Sequence, residues 1–145
     1  MKKILLISAL LISVWAVKAD NRDQQIAFAQ LPKSAQTFVE KHFSKDNISV
    51  IFKDIDRTSV SYEVYFKDGG EVEFSSNGDW KDIDCKRSQF PQSILPAKIY
   101  SFLTRNHSDL RIITVEKKKS GYEIEMNNDL EVKFDRSGNF LRYED

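Results

Sequence analysis

The second half of this 145-residue chain repeats the residue pattern of the first half. The matching segments occur in the same order in both halves: Leu31-Pro32 with Leu95-Pro96, Tyr62-Glu63-Val64 with Tyr122-Glu123-Ile124, Val72-Glu73-Phe74 with Val132-Lys133-Phe134, Gly78 with Gly138, and Trp80 with Phe140. A colinear series that preserves aromatic, glycine and Leu-Pro positions together rarely arises by chance. The sequence therefore predicts one structural unit that is present twice.

Each unit is predicted to contain one helix followed by about four antiparallel strands. Pro32 and Pro96 suit the first turn of a helix, and apolar residues recur after each of them at helical spacing. The segments that follow alternate apolar and polar residues, which is typical of a sheet with one buried face. We therefore predict an α+β fold, a tandem duplication of a helix plus a four-stranded antiparallel sheet with the helices on one side of the sheets.

The repeats are expected to span about 26–86 and 90–145 and to form a single domain over residues 20–145. A unit of this size alone buries only about 60% of its unfolded surface, so the two units should share one core.

The N-terminus has the layout of a secretory signal peptide over residues 1–19. Met1-Lys2-Lys3 is basic, residues 4–17 are almost wholly apolar, and Val17-Lys18-Ala19 places small residues at the usual cleavage offsets. The apolar run is short for a transmembrane span, so a retained anchor is the weaker alternative. We therefore expect a periplasmic or secreted protein that has no membrane insertion after signal cleavage.

Composition argues against several functional classes. Lys+Arg and Asp+Glu are both 22, and removal of the signal peptide leaves an acidic excess, so no nucleic-acid partner is expected. With one cysteine and two histidines the chain can form no internal disulfide, and a Cys/His metal site is disfavoured. Cys85 is either a small residue near a strand end or a thiol that pairs or reacts with another molecule. No nucleophile elbow or Cys/His pair is present, so we predict no catalytic residues, no metal, no cofactor and no enzyme activity.

Strand alternation predicts which side chains face away from the core. If Tyr62 and Val64 point inward, then Glu63 and Tyr65 point outward, and Ile83, Leu141 and Tyr143 follow by the same parity unless bulges interrupt it. The outward residues that we predict to bind a partner are Glu63, Tyr65, Glu73, Glu123, Glu125, Glu131, Lys133 and Tyr143. Aromatic residues in a charged rim are typical of protein interfaces, although an ordinary solvated sheet face has the same composition.

The repeated pattern resembles the PepSY-like family of exported bacterial proteins, which are also described as β-lactamase-inhibitor-like. The residues that carry the resemblance are Leu31-Pro32, Tyr62-Glu63-Val64, Val72-Glu73-Phe74 and Asn77-Gly78-Asp79-Trp80, followed by their second copies. The resemblance implies two tandem helix-plus-sheet units and, by analogy with β-lactamase inhibitor protein, binding of another protein across the sheet. The family name suggests regulation of peptidases, and a calcium-linked role is associated with relatives. No functional residue is carried over.

These observations favour a non-catalytic periplasmic binding module that recognises a protein or peptide partner through its open sheet face and acts as an inhibitor or regulator. The partner is an unidentified periplasmic protein or peptide, and the chain itself is expected to be a monomer or a weak homo-oligomer. The alternative is a periplasmic sensor domain that responds to calcium or a small ligand.

Overall fold

The structure is a computed structural model that describes residues 23–144. The predicted signal peptide lies outside these residues. The two helices are α1 (Lys33–His42) and α2 (Ala97–Asn106). The strands are β1 (Asp23–Gln25), β2 (Ile48–Ile55), β3 (Val60–Phe66), β4 (Glu71–Ser75), β5 (Trp80–Asp84), β6 (Ile112–Lys118), β7 (Gly121–Met126), β8 (Glu131–Asp135) and β9 (Phe140–Glu144).

All of these strands form one antiparallel sheet in which each strand pairs with the next strand along the chain. The fold is therefore α+β, with two helices and a nine-stranded antiparallel sheet. Strands β5 and β6 pair through Ile83 and Val115, so the two halves of the chain share a continuous sheet. Strand β1 was not predicted, because its Asp-Gln-Gln sequence has no apolar alternation to reveal a strand.

Both helices pack on the same face of the sheet and enclose a single hydrophobic core. In the first half, Phe38 of α1 meets the fully buried Phe74 edge-on, with ring centroids 5.6 Å apart. In the second half, Phe102 of α2 meets Phe134 in the same way at 5.4 Å. Edge-to-face pairs of this kind stabilise a core beyond the burial of their apolar area.

A β-bulge changes the side-chain parity of β5. Phe74 pairs with Trp80, but the neighbouring Glu73 pairs with Asp82, so Lys81 is an extra residue. An extra residue reverses the alternation beyond it. The prediction that Ile83 faces outward is therefore wrong: Ile83 is fully buried and Asp82 lies on the opposite face.

An equivalent bulge alters β9. Phe134 pairs with Phe140 and Lys133 pairs with Arg142, which turns Tyr143 toward the helices. The Tyr143 hydroxyl lies 3.0 Å from Nε2 of His107, just after α2. The prediction that Tyr143 lies on the open sheet face is therefore wrong for the same physical reason as for Ile83.

The turn before each bulge contains a glycine with a positive φ. Gly78 and Gly138 both have a φ of +86°, a conformation that glycine adopts without steric cost. A Cβ on Gly78 would lie 2.8 Å from Pro32 Cβ, and Ser34 Oγ donates a hydrogen bond to Asn77 O at 2.7 Å. The β4–β5 turn is therefore fixed against the start of α1.

Candidate functional site: the acidic open face

The face of the sheet that is turned away from the helices, hereafter the open face, carries a line of opposed carboxylates. Register pairs Glu63 with Glu73, Glu73 with Asp82, Asp82 with Glu116, and Glu116 with Glu123. We call these five residues on strands β3–β7 the acidic row. Like charges directly opposite one another on neighbouring strands destabilise a sheet. The acidic row is therefore a feature that folding alone does not favour.

The residues that flank the acidic row differ at its two ends. At the β2 end, Phe52 pairs with Glu63, and its ring meets that of Tyr65 edge-on at 6.1 Å. At the β8 end, Lys133 pairs with Glu123 and Arg142 follows on β9. The open face thus changes from aromatic, through acidic, to cationic along a single line of neighbouring residues.

Positive charges compensate the carboxylates near β7–β9. Lys133 Nζ lies 2.6 Å from a Glu144 oxygen and 3.1 Å from a Glu123 oxygen, and Lys118 Nζ lies 2.7 Å from the other Glu123 oxygen. Hydrogen bonds from Lys118 and Lys133 lower the pKa of Glu123, with that of Lys118 contributing most. Glu123 is thus held as a carboxylate and is already well paired within the chain.

Asp82, at the centre of the acidic row, has a different environment. No cation among residues 23–144 forms an ion pair with Asp82. The adjacent Lys81 contacts Glu73 instead. Burial, followed by the negative charges of Glu116 and Glu73, raises the pKa of Asp82 from 3.8 to about 6. The folded protein therefore binds a proton at Asp82 more readily than the unfolded chain does. At neutral pH the ionised form opposes folding, and that penalty decreases progressively as the pH falls from about 6 to the ordinary value of 3.8.

A shallow depression of about 130 Å³ lies on the open face beside Asp82. Its lining consists of carboxylates and one hydroxyl: Asp82, Thr114, Glu116, Glu123, Glu125 and Glu131. The Thr114 hydroxyl donates a hydrogen bond to Glu125 Oε2 at 3.3 Å. The depression therefore offers oxygen acceptors to a bound group and very few donors.

Tyr65 is a half-buried aromatic residue of the open face. Its hydroxyl donates a hydrogen bond to Glu63 Oε2 at 2.8 Å. Burial, followed by that hydrogen bond, raises the pKa of Tyr65, so the phenol stays protonated and acts as a donor. The Tyr65 ring thus gives this end of the face an apolar contact surface.

The structure brings most of the predicted partner-binding residues together. Seven of them share the open face: Glu63, Tyr65, Glu73, Glu123, Glu125, Glu131 and Lys133. Tyr143 lies on the other side, and the role of the seven in binding stays a prediction. Sequence reasoning missed Asp82 and Glu116, since the bulge that orients Asp82 was not identified and β6 was not assigned a register.

The cysteine and the histidines lie away from the open face. Cys85 is buried, and burial, followed by the charge of Asp84, raises the pKa of its thiol to about 11. A thiol with such a high pKa is a poor nucleophile at neutral pH. His42 Nδ1 lies 2.9 Å from Ser93 Oγ, and burial lowers the pKa of the His42 ring. Within residues 23–144, no three His, Cys, Asp or Glu side chains are placed to hold a metal ion together.

Solved structures with the same architecture come from the genus Bacteroides. A protein of Bacteroides thetaiotaomicron described as a "putative calcium-regulated periplasmic protein" is 35% identical, with a TM-score of 0.81 over 85% of this chain and 97% of that one. A protein of Bacteroides vulgatus described as a "putative periplasmic protein of unknown function" is 34% identical, with a TM-score of 0.78 over 85% of this chain and 99% of that one.

No curated protein matches the sequence. Neither helix in the part of the chain that the structure covers has the length and apolar character needed to cross a membrane.

The sequence also matches a family model. The family is described as "Putative beta-lactamase-inhibitor-like, PepSY-like", and its model matches residues 14–61 and 60–142. These segments include both helices and all strands except part of β9. The chain therefore belongs to the PepSY-like, β-lactamase-inhibitor-like family.

Proposed function

We propose that this protein is a non-catalytic periplasmic binding module that recognises a basic protein or peptide through its open face and acts as an inhibitor or regulator. The observation that carries the proposal is the acidic row, in which carboxylates on five neighbouring strands oppose one another. The family description supports a protein partner, and the descriptions of the Bacteroides relatives support a periplasmic location.

The charge pattern indicates what kind of partner fits. Glu73 and Glu116 each already lie within 4 Å of one lysine, Lys81 and Lys118, so the uncompensated charge is centred on Asp82. A lysine or arginine side chain of the partner placed over Asp82 would relieve its repulsion with the two neighbouring glutamates. Such complementarity also accelerates encounter and excludes acidic competitors. Local conflicts of this kind in an otherwise consistent fold are expected at functional positions.

Aromatic residues at the end of the row complete the interface. Tyr65 and Phe52 are half-buried, and their rings are held against each other. Aromatic anchors beside charged residues are enriched at protein interfaces. We infer that a basic segment lies across the strands, with an apolar residue near Tyr65 and cations over the acidic row.

Charge reversal should weaken this binding. We expect Glu73→Lys and Glu131→Lys each to reduce partner affinity about tenfold or more. Glu73 belongs to the acidic row and Glu131 lines the depression beside Asp82, so each variant places a cation next to the position where the partner's cations bind. The partner is isolated from periplasmic extract, and its affinity is measured by titration calorimetry with purified proteins at low and physiological salt. A weaker affinity at higher salt is also expected.

A matched control separates local charge from net charge. Glu40→Lys makes the same change on the exposed side of α1, on the other side of the sheet, so it should bind as the unaltered protein does. Peptides that are identical except for carrying either lysine or glutamate test directly whether the open face prefers a basic segment, and the lysine peptides should bind more tightly. Equal affinity of both reversed variants and the unaltered protein would show that the open face is not the binding surface.

Calcium binding is the second candidate function, and the acidic depression favours it. Its carboxylates are the ligands that calcium prefers, and one relative is described as calcium-regulated. Because no three carboxylates are already placed to hold a metal ion in residues 23–144, the side chains would have to move toward the ion.

Thermal melting tests the calcium candidate. At about pH 8 we expect about 5 mM calcium, above the dissociation constants of roughly 0.1–1 mM of weak extracellular sites, to raise Tm by about 3 °C or more. At about pH 5 the rise should be lost, since Asp82, with its pKa of about 6, then binds a proton instead. Asp82→Asn should lose the rise at both pH values, and sodium chloride at matched ionic strength is the control. An unchanged Tm at pH 8 would remove calcium as a ligand.

A further inference from the structure

The outer edge of β9 is an unpaired sheet edge. Backbone N–H and C=O groups of successive strand residues point to opposite sides, and among residues 23–144 no strand pairs with the outer side of β9. An edge of this kind is a template for another strand. The other edge of the sheet, β1, consists of only three exposed polar residues and lacks apolar side chains.

Strand β5 shows how an equivalent edge is covered within the chain. Trp80 begins β5 opposite Phe74, as Phe140 begins β9 opposite Phe134. The outer side of β5 is covered by β6. Just after β5, the backbone N–H of Cys85 donates a hydrogen bond to the carbonyl oxygen of Ile113 in β6, at 2.9 Å. Lys117 Nζ of β6 lies 4.5 Å from the centroid of the Trp80 ring. Nothing comparable covers β9 in the part of the chain that the structure describes.

The side chains of β9 are apolar and unusually exposed. Phe140, Leu141 and Tyr143 retain 38%, 51% and 44% of their accessible surface, and only one other large hydrophobic residue in the described chain, Ile55, is exposed. The rings of Phe140 and Tyr143 contact each other at 4.9 Å, and that of Phe140 stacks on Phe102 at 4.7 Å. An ordered apolar cluster on an unpaired edge is typical of an interaction site.

We propose that β9 binds β9 of a second copy of this chain, in antiparallel register about a two-fold axis through Tyr143. Arg142 and Glu144 both lie on the open face, where they pair with Lys133 and Glu131 of β8. The two-fold axis places Arg142 of each copy opposite Glu144 of the other, which gives two complementary ion pairs. On the helix side, the exposed Tyr143 rings of the two copies meet.

The dimer is expected to be weak, because its ion pairs are exposed and its contact area is small. Within one chain, Glu144 already contacts Arg142 Nε at 2.9 Å and Lys133 Nζ at 2.6 Å, so each ion pair between copies shares a carboxylate that is already paired and adds little net affinity. Contact between two five-residue strands covers less surface than a permanent interface does, so a weak dimer is expected. Formation of this dimer does not require the proposed partner of the open face.

Sedimentation equilibrium of the protein from about 10 µM to about 1 mM tests the proposal. A monomer–dimer equilibrium is expected for the unaltered protein. Arg142→Glu and Glu144→Arg should each weaken the dimer at least about tenfold, because like charges then oppose one another across the axis. An equimolar mixture of these two variants should restore the dimer, since the carboxylate introduced at position 142 of one copy meets the guanidinium introduced at position 144 of the other.

The mixing experiment separates contacts between copies from contacts within a chain. In each variant the charges at the two positions repel within its own chain, and mixing restores only the pairs between chains. Leu141→Lys gives a second variant at an exposed position, and it should also weaken the dimer at least about tenfold, while circular dichroism verifies that each variant is folded. The proposal is overturned by a protein that stays monomeric throughout, by variants that dimerise as tightly as the unaltered chain, or by a mixture that does not dimerise.

Discussion

Replacing Phe74 with alanine is expected to lower the free energy of unfolding by about 3–5 kcal/mol, as for large-to-small changes at other buried aromatic positions. The Phe74 side chain has no exposed surface, and it supports the ring of Phe38 between α1 and the sheet. Removing it leaves a cavity that the rigid strand β4 cannot close. Urea unfolding followed by tryptophan fluorescence and by circular dichroism measures the change, since Trp80 lies in the adjacent strand.

Phe134→Ala is the matched variant in the second half of the chain, and a similar loss is expected because Phe134 is equally buried against Phe102. Phe140→Ala is the control, since the Phe140 ring is partly exposed, and it should lower the free energy of unfolding by much less. Both core variants should show one transition with the same midpoint by both probes, because the halves share one sheet and one core. Two separate transitions would mean that each half unfolds independently.

Gly121→Ala should lower the free energy of unfolding by about as much as Phe74→Ala does. The loss comes from strain in the backbone and not from a cavity. Gly121 begins β7 with a φ of +150°, which side-chain-bearing residues rarely adopt. A Cβ there would lie 2.0 Å from the Phe134 carbonyl oxygen and 2.8 Å from backbone atoms of Asp135. The strained conformation alone costs roughly 1–3 kcal/mol, and moving strand β8 away from the Cβ adds to that cost.

Gly69→Ala is the control for backbone strain without a clash. Gly69 has a φ of +91°, but the nearest atom to its added Cβ is Lys86 Cγ at 3.9 Å. This variant should lose about 1–2 kcal/mol in urea unfolding, clearly less than Gly121→Ala. Equal losses for the two variants would mean that the close approach of β7 and β8 at Gly121 is relieved without cost.

Local patterns in the sequence predicted two helices and an antiparallel sheet, but not β1 or the joining of all strands into one nine-stranded sheet. Alternation in β3 correctly oriented Tyr62 and Val64 inward and Glu63 outward, because a regular strand has a fixed period of two. The predicted helices were placed by their apolar spacing and by Pro32 and Pro96, which precede α1 and α2. These signals depend only on neighbouring residues, so a single sequence contains them.

The features that sequence reasoning missed depend on pairing between strands. Whether Asp82 or Ile83 faces the core is decided by the bulge opposite Glu73 and Phe74, and a bulge leaves no distinct local pattern in β5. The juxtaposition of Asp82 and Glu116 needs the register of β5 on β6, two strands separated by α2. The centre of the acidic row was therefore beyond prediction, although its outer members Glu63, Glu73 and Glu123 were identified.

The order of the strands also bears on how the chain folds. Every strand pairs only with the strands that precede and follow it in sequence, and the two longest connections, from β1 to β2 and from β5 to β6, each contain one helix. Topologies with short sequence separation between partners fold faster than those that need long loops to close. Each hairpin can thus add to an existing edge as the chain emerges, and the sheet can grow from its N-terminal strands toward its C-terminal strands.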